Sequence, residues 1–312
     1  MLPTSLRSSN NSLLPFGFVV LHYRNILDTI ACIQSILKID YSPGYHIVLV
    51  DNASPDDSLG LLRVEFGNNP KVTIIPSTEN GGYSKGNNTG IRALLSMGIE
   101  KIIIATNDTE IISQNLLHEF NLLNTSKVGA MGPCIITREG VLQNPPYSAP
   151  TFLYILNLYL YELMIIVRGW IYKMSPASQA SRAIAVTKQK LKFINPSNEM
   201  SASSVYMLHG SFIFLTQNYI NKIGLLDEAL FMYGEEDLIA WNCEKYQLER
   251  IFLPQVRILH KDALSTKVSF QEKKDAFVIN QAKISNQYLR VRIRLLPLLK
   301  IWFLWKSRVR KV

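Results

Sequence analysis

The chain has 312 residues, 47% of them hydrophobic and 18% charged, with a mean hydropathy of +0.09. That is enough apolar matter for one large domain or two moderate ones, and too much for a disordered chain. The net charge of +9 is concentrated at one end: Leu289 to Val312 carries eight Lys or Arg and no acid, which leaves about +1 for all the rest. A nucleic-acid binder with basic charge spread over its domain is therefore excluded.

Three scattered cysteines, Cys32, Cys134 and Cys243, form no CxxC pair. This argues against a disulfide framework or a zinc site, and for a reducing compartment. The opening stretch "MLPTSLRSSNNSLLPFG" has no apolar core of signal-peptide length. It reads as an extension over residues 1–15, with no export expected.

In chain order, "FGFVVLHY" and "HIVLVD" read as short buried strands. Between them "NILDTIACIQSILKID" places Ile26, Ile30, Ile33, Ile36 and Leu37 at helical spacing. A strand "KVTIIPS", a helix "TGIRALLSMGI" and a strand "KIIIATND" follow. Alternating strands and helices predict βαβ units and a parallel sheet, whose ligands bind at the carboxyl ends of the strands. Asp51 and Asp108 fall at two such ends.

The pattern changes over an insertion at about 148–200. "TFLYILNLYLYELMIIVRGWIYKM" is apolar for over twenty residues, interrupted by Asn157, Glu162 and Arg168. Its length raises the question of a membrane span, and its polar breaks favour a helix in the interface or on the core. From Tyr206 the α/β pattern resumes with "VYMLHGSFIFLT", "LFMYGEEDLIAWNC" and "RIFLPQVRILHK". The segment 271–312 reads as a basic amphipathic tail with Trp302 and Trp305 near its end.

Several stretches carry chemistry. "VDNASPDDS" puts Asp51 before a polar turn. "ENGGYSKGNNTGI" combines glycines, asparagines and a lysine ahead of a helix, a composition that lets backbone approach an anion at a helix N-terminus. "ATNDTEI" ends an apolar strand in Asp108, which needs a ligand or a helix N-cap role at Asp108 or Thr109. Glu235, Glu236 and Asp237 stand side by side after Gly234. Acids in a first helical turn interact well with the macrodipole, and one of them can also serve as a general base.

Taken in this order, "VDNAS", "NGGYSKGNNTGI", "TNDTEI", "GSFIF", "GLLDEALFMYGEEDL" and a late "ILH" resemble the family 2 glycosyltransferases. The likeness is greatest to their rhamnosyltransferase-like branch, which builds bacterial surface polysaccharides, and it covers roughly Phe16 to Ser265. It implies a GT-A fold over 16–270: a Rossmann-like, mostly parallel sheet flanked by helices. It further implies inverting transfer from a nucleoside-diphosphate sugar, with UDP or dTDP as carrier.

Carried over by motif, His22, Tyr23 and Asp51 would lie at the donor nucleoside, with a satisfied structural histidine as the equal alternative for His22. Gly82, Lys85, Asn87 and Asn88 would wall the ribose and diphosphate, and Asn107 and Asp108 would meet the donor's charged end. Asp108 and His260 would hold a divalent cation, Mg²⁺ or Mn²⁺, although Thr106 stands where the metal motif usually has Asn or Asp. Asp237 would be the base with Glu236 next. His209 and Glu235 would lie toward the acceptor, Glu235 with a structural role as its other reading.

A cationic tail bearing tryptophans fits an anionic leaflet. The expectation is a cytoplasmic enzyme, peripheral on the inner face of the membrane, with a lipid-linked saccharide as acceptor. The alternative is a catalytically inactive GT-A-like protein that binds a nucleotide or a partner. A nucleotidyltransferase is disfavoured because "LHYRNILDT" holds no glycine.

Overall fold

The computed structural model describes residues 15–42, 44–123, 126–144, 201–228, 231–232 and 234–261. The insertion placed at 148–200 and the tail placed at 271–312 lie outside them, as does the extension apart from Pro15. Among the described residues no helix is long and apolar enough to cross a membrane.

Ten strands form one sheet in the order β3-β2-β1-β4-β9-β6-β10-β5. The first half is parallel: β1 (Phe16–His22) lies between β2 (Tyr45–Asp51) and β4 (Lys101–Thr106), and β3 (Val72–Pro76) is outermost. β9 (Phe212–Leu215) runs antiparallel between β4 and β6 (Val128–Thr137), and β10 (Glu249–His260) resumes the parallel direction beside β6. β5 (Thr109–Ile111) closes the edge antiparallel to β10. Two short strands, β7 (Leu142–Asn144) and β8 (Ser203–Ser204), pair with β6 and β10. The parallel sheet expected from the sequence is present, with β9 as an antiparallel wedge in its middle.

Alternation along the central strands divides the core between two faces. Phe16, Phe18, Val20, Ile103 and Ala105 pack with Ile33 and Ile36 of α1 (Ile26–Leu37), with Leu62 and Phe66 of α2 (Ser58–Phe66), and with Phe120 of α4 (Leu116–Leu122). Val19, Ile102 and Ile104 face the other way, onto Ile91 and Leu94 of α3 (Gly82–Ser96), Tyr219 of α5 (Gln217–Lys222) and Ile239 of α6 (Glu235–Lys245). Strands covered on both sides read as continuous apolar runs, which is why "FGFVVL" and "KIIIA" show no polar alternation. One lysine is buried in this frame. Lys101 donates to Asn121 Oδ1 at 2.7 Å and lies 5.3 Å from the Phe16 ring centre, and burial lowers its pKa.

The glycine-rich stretch departs from its sequence reading. It is not an open loop before a helix, because α3 begins at Gly82 and takes in most of the motif. Gly86 and Gly90 lie against β1: a methyl group on Gly86 would come within 2.5 Å of Leu21, and one on Gly90 within 2.5 Å of Val19. Glycine inside a helix costs about 1 kcal/mol relative to alanine. Here that cost accompanies a helix-to-strand approach that no other residue allows.

Gly90→Ala should therefore destabilise the protein. Overpacking against the stiff Val19 costs about 1–3 kcal/mol, more than helix propensity returns. Gly60→Ala on α2, where nothing lies within 4 Å, should instead stabilise by about 0.4–1 kcal/mol. Urea midpoints of the two variants should move in opposite directions from wild type.

Candidate active site

Three parallel strands end level with one another, His22 beside Asp51 and Leu21 beside Thr106. Asp51 is 3% exposed and accepts a hydrogen bond from the Ser54 backbone N–H at 3.3 Å. His22, expected at the donor, is fully buried. Its Nδ1 lies 2.7 Å from Thr29 Oγ1 and its Nε2 2.8 Å from Ser58 Oγ. It therefore links β1 to the first turns of α1 and α2 and presents no atom to a ligand. Burial lowers its pKa, opposed by the charges of Asp51 and Asp56.

Tyr23, next along, is partly exposed and carries the Arg24 guanidinium 5.3 Å from its ring centre. Arg24, Asn25 and Ala53 all have positive φ, at 57°, 51° and 57°. Left-handed backbone without glycine is costly and clusters at functional sites. Asn52, given no role from the sequence, ties this edge together. Its amide donates to Asn80 Oδ1 at 2.9 Å and to Gly82 O at 3.2 Å, and its oxygen accepts from Gly81 N–H at 3.1 Å.

The residues expected to wall a diphosphate divide differently. Asn87 and Asn88 are both fully buried. Asn87 donates to Tyr83 O at 3.0 Å. Asn88 clasps Leu226 by both backbone groups at 2.9 Å each and donates to Glu228 at 2.7 Å. Lys85 is exposed and pairs with Glu79 at 2.5 Å.

Gly82, at φ 75°, faces the Phe231 carbonyl so closely that a methyl group there would sit 1.9 Å from its oxygen. The same carbonyl accepts from Tyr83 N–H at 2.7 Å. The N-terminus of α3 is thus occupied by protein backbone, and the motif seats the segment that leads into α6. Asn88 is corrected from ligand wall to anchor for that reason, whereas Asn87 bonds only within α3 and its Oδ1 is buried with no hydrogen-bond partner among the described residues.

Asp108 follows β4 directly and is 6% exposed. It caps no helix, since β5 comes next. Thr106 Oγ1 donates to Asp108 Oδ1 at 2.6 Å, so the hydroxyl at the departing motif position orients the carboxylate. Asn107 turns aside and donates to Thr29 Oγ1 at 2.9 Å. His260, from the far end of β10, brings Nε2 to 3.3 Å from Asp108 Oδ2, with its Nδ1 2.5 Å from Gln143 Oε1.

Gln143 Oε1 can only accept, so Nδ1 carries a proton; in the neutral ring Nε2 then faces the carboxylate as a lone pair, and in the imidazolium as a second N–H. Two electron-pair donors at that separation repel until a proton or a cation comes between them. Among the described residues no group of three or more His, Cys, Asp or Glu could hold a metal ion. A hard cation that retains phosphate oxygens and water needs only one or two protein ligands, which this pair supplies.

The turn His209–Gly210–Ser211 joins this pair to the acidic run. Thr106 N–H donates to Ser211 O at 2.9 Å. The rings of His209 and His260 meet edge to face, with centres 5.7 Å apart. The Gly210 peptide is held from both sides: its carbonyl accepts from Tyr83 Oη at 2.6 Å and its N–H donates to Glu236 Oε1 at 3.2 Å.

At the start of α6 the three acids fan apart by about 100° each. Glu235 is 8% exposed and lies near the Tyr83 phenol, whose pKa is raised well above the usual value by burial, then by Glu235 and Glu236. Glu236 and Asp237 are partly exposed, and Glu236 accepts from Gly210 in the turn beside Asp108 and His260.

The buried His22 gives the protein an acid-sensitive component. Below the ordinary histidine pKa of about 6.5 the unfolded chain takes a proton that the folded chain resists, so stability falls as pH falls toward the lowered folded pKa. Thermal midpoints should drop between pH 7.5 and 5.5, and His22→Gln should make that drop shallower. His46, also lowered by burial, contributes in the same direction. An unchanged slope in His22→Gln would refute this assignment.

Comparison with known proteins gives this edge a family. The family model for glycosyl transferase family 2 matches residues 18–180. Low-salt glycan biosynthesis hexosyltransferase Agl10 of Haloferax volcanii is 25% identical over 213 residues, covering 68% of this chain and 56% of that protein. An N-acetylglucosaminyl-diphospho-decaprenol L-rhamnosyltransferase of Mycobacterium tuberculosis is 23% identical over 257 residues, 74% of this chain and 76% of the relative.

Among solved structures, GalNAc-T7 with UDP, GalNAc and Mn²⁺ superposes with a TM-score of 0.53 at 13% identity, over 83% of this chain and 47% of that one. The mannosyltransferase PcManGT of Pyrobaculum calidifontis, in complex with GDP-Man and Mn²⁺, gives 0.51 at 13% identity, over 94% and 79%. These likenesses carry the fold, which is GT-A, and the match over more than half of the sequence carries the family. The chain belongs to glycosyl transferase family 2.

Proposed function

We propose that the protein is an inverting glycosyltransferase that moves a sugar from a nucleoside-diphosphate sugar to a hydroxyl of a lipid-linked glycan. The observation that carries this reading is the hold on Gly210 from both sides, by Tyr83 and Glu236, beside the contact of the His209 and His260 rings. Through it an acid at the start of α6 and the Asp108–His260 pair meet at the carboxyl edge of the sheet. Membership of family 2 and the polyprenol-linked acceptor named for the mycobacterial relative support the choice of substrates.

Transfer with inversion requires one base to take the acceptor hydroxyl's proton as its oxygen attacks the anomeric carbon. Geometry favours Glu236 over Asp237 for this. Its Oε1 is fixed by the Gly210 N–H, while its Oε2 makes no hydrogen bond among the described residues. Asp237 becomes the second candidate and Glu235 a buried neighbour of Tyr83.

Asp51 is assigned to the donor nucleoside, with Tyr23 beside it, and Asp108 and His260 to the cation. Mn²⁺ suits an imidazole ligand better than Mg²⁺ does. When bound, the cation supplies the positive charge that offsets the departing diphosphate. The basic tail is assigned to the anionic inner face of the membrane, where the acceptor is carried.

Nucleoside diphosphate release across a panel of nucleotide-sugars, with a polyprenyl-diphosphate saccharide as acceptor and with Mn²⁺ or chelator, tests the reading. Glu236→Gln should lower turnover by about a hundredfold or more, Asp237→Asn by much less, and chelator should abolish release. The reverse order of the two variants would move the base to Asp237. Silence with every donor, while nucleotide still binds, would leave the non-catalytic binding protein as the reading.

A further inference from the structure

We propose that Gln143 is a positioning residue for the cation site, holding His260 in the one tautomer that can ligate. The inference rests on the reading of Asp108 and His260 as cation ligands. Gln143 lies on β7, across β6 from β10: Ile136 of β6 pairs with Leu142, and Thr137 with His260.

The hairpin carrying Gln143 is rigid. Thr137 N–H donates to Val141 O at 2.9 Å and Val141 N–H donates to Thr137 Oγ1 at 3.2 Å, across a turn completed by Gly140 at φ 77°. Asn144, 1% exposed, pins the strand by donating to Pro133 O at 2.7 Å. The Gln143 amide oxygen is thereby fixed 2.5 Å from His260 Nδ1.

A neutral imidazole has a single N–H. Committing it to Gln143 leaves Nε2 as a lone pair turned toward Asp108 Oδ2, at 3.3 Å. The other tautomer would place the proton on Nε2, donate it to Asp108, and occupy both ligands with each other. Gln143 thus selects between a pair closed upon itself and a pair open to a cation. Outer partners of this kind orient a metal-bound histidine and raise its basicity.

The test uses the full chain, titrated with Mn²⁺ alone and with Mn²⁺ plus UDP, with free Mn²⁺ read by electron paramagnetic resonance. Gln143→Leu, which removes the acceptor, should weaken Mn²⁺ binding about 10- to 100-fold. Gln143→Glu, which keeps an acceptor there, should bind within a few-fold of wild type. Without metal, ¹⁵N shifts of His260 should report Nδ1–H in wild type and lose that state in Gln143→Leu.

Equal Mn²⁺ affinity in wild type and Gln143→Leu would overturn the inference and leave the cation site standing. So would an Nε2–H tautomer in wild type, or Gln143→Glu binding as weakly as Gln143→Leu. A wild-type protein that binds no Mn²⁺ in either arm would remove the cation reading and the inference together.

Discussion

The close seat of α3 on β1 is the constraint on which the rest of the site depends. Without Cβ atoms at Gly86 and Gly90 the helix lies against Leu21 and Val19 at a distance any side chain would forbid. From that position Gly82 admits the Phe231 carbonyl, Asn88 clasps Leu226, and Tyr83 reaches the carbonyl of Gly210. Each contact fixes part of the segment or turn that presents the acids of α6. A helix standing an ångström further from the sheet would loosen all of them, because a hydrogen bond fails over that distance.

A second constraint is the cost of burying polar groups without partners. His22, Asp51, Asn52, Asn87, Asn88 and Asp108 are all buried near one edge of the sheet. Most of their hydrogen bonds run between elements rather than within them, so the edge is cross-linked. His22 joins α1 and α2 to β1, Asn52 joins β2 to α3, and Thr106 joins β4 to the 209–211 turn. A rigid edge of this kind can hold charged groups in place for a reaction without reorganising them. Asn87 Oδ1 keeps no hydrogen-bond partner among the described residues, and the His260 Nε2 facing Asp108 is the place to which the proposed cation is assigned. It is also where the chemistry of transfer calls for positive charge.

The three adjacent acids show how one helical turn can separate identical chemistry into different roles. Glu235 points into the protein near Tyr83, Glu236 to the Gly210 peptide, and Asp237 onward around the helix. Their proximity in sequence becomes divergence in space, and Glu236 is tied to the turn that leads to Asp108 and His260. The repulsion between neighbouring carboxylates is offset by the helix N-terminus, whose partial positive charge favours acids in the first turn.

Local signals in the sequence make much of this protein legible. Apolar runs of strand length gave β1, β2, β3 and β4, and helical spacing of isoleucines gave α1, because burial on two faces or one imposes those periods directly. Asp51 and Asp108 were legible as strand-end acids, Glu235 to Asp237 as a helix start, and the order of the motifs pointed to the family.

Other features belong to the tertiary structure alone. The sequence read "GGYSKGNNTG" as a loop for an anion, whereas most of it is a helix packed on a strand. It assigned Asn52 and Gln143 no role, made Asn88 a ligand contact, and put Asp237 ahead of Glu236 as the base. The bonds that bear on these points join residues far apart in the chain: Asn88 to Leu226, Tyr83 to Gly210, Gln143 to His260. Such pairs leave no periodic trace, since a side chain's partner across more than a hundred residues is chosen by where the fold brings it.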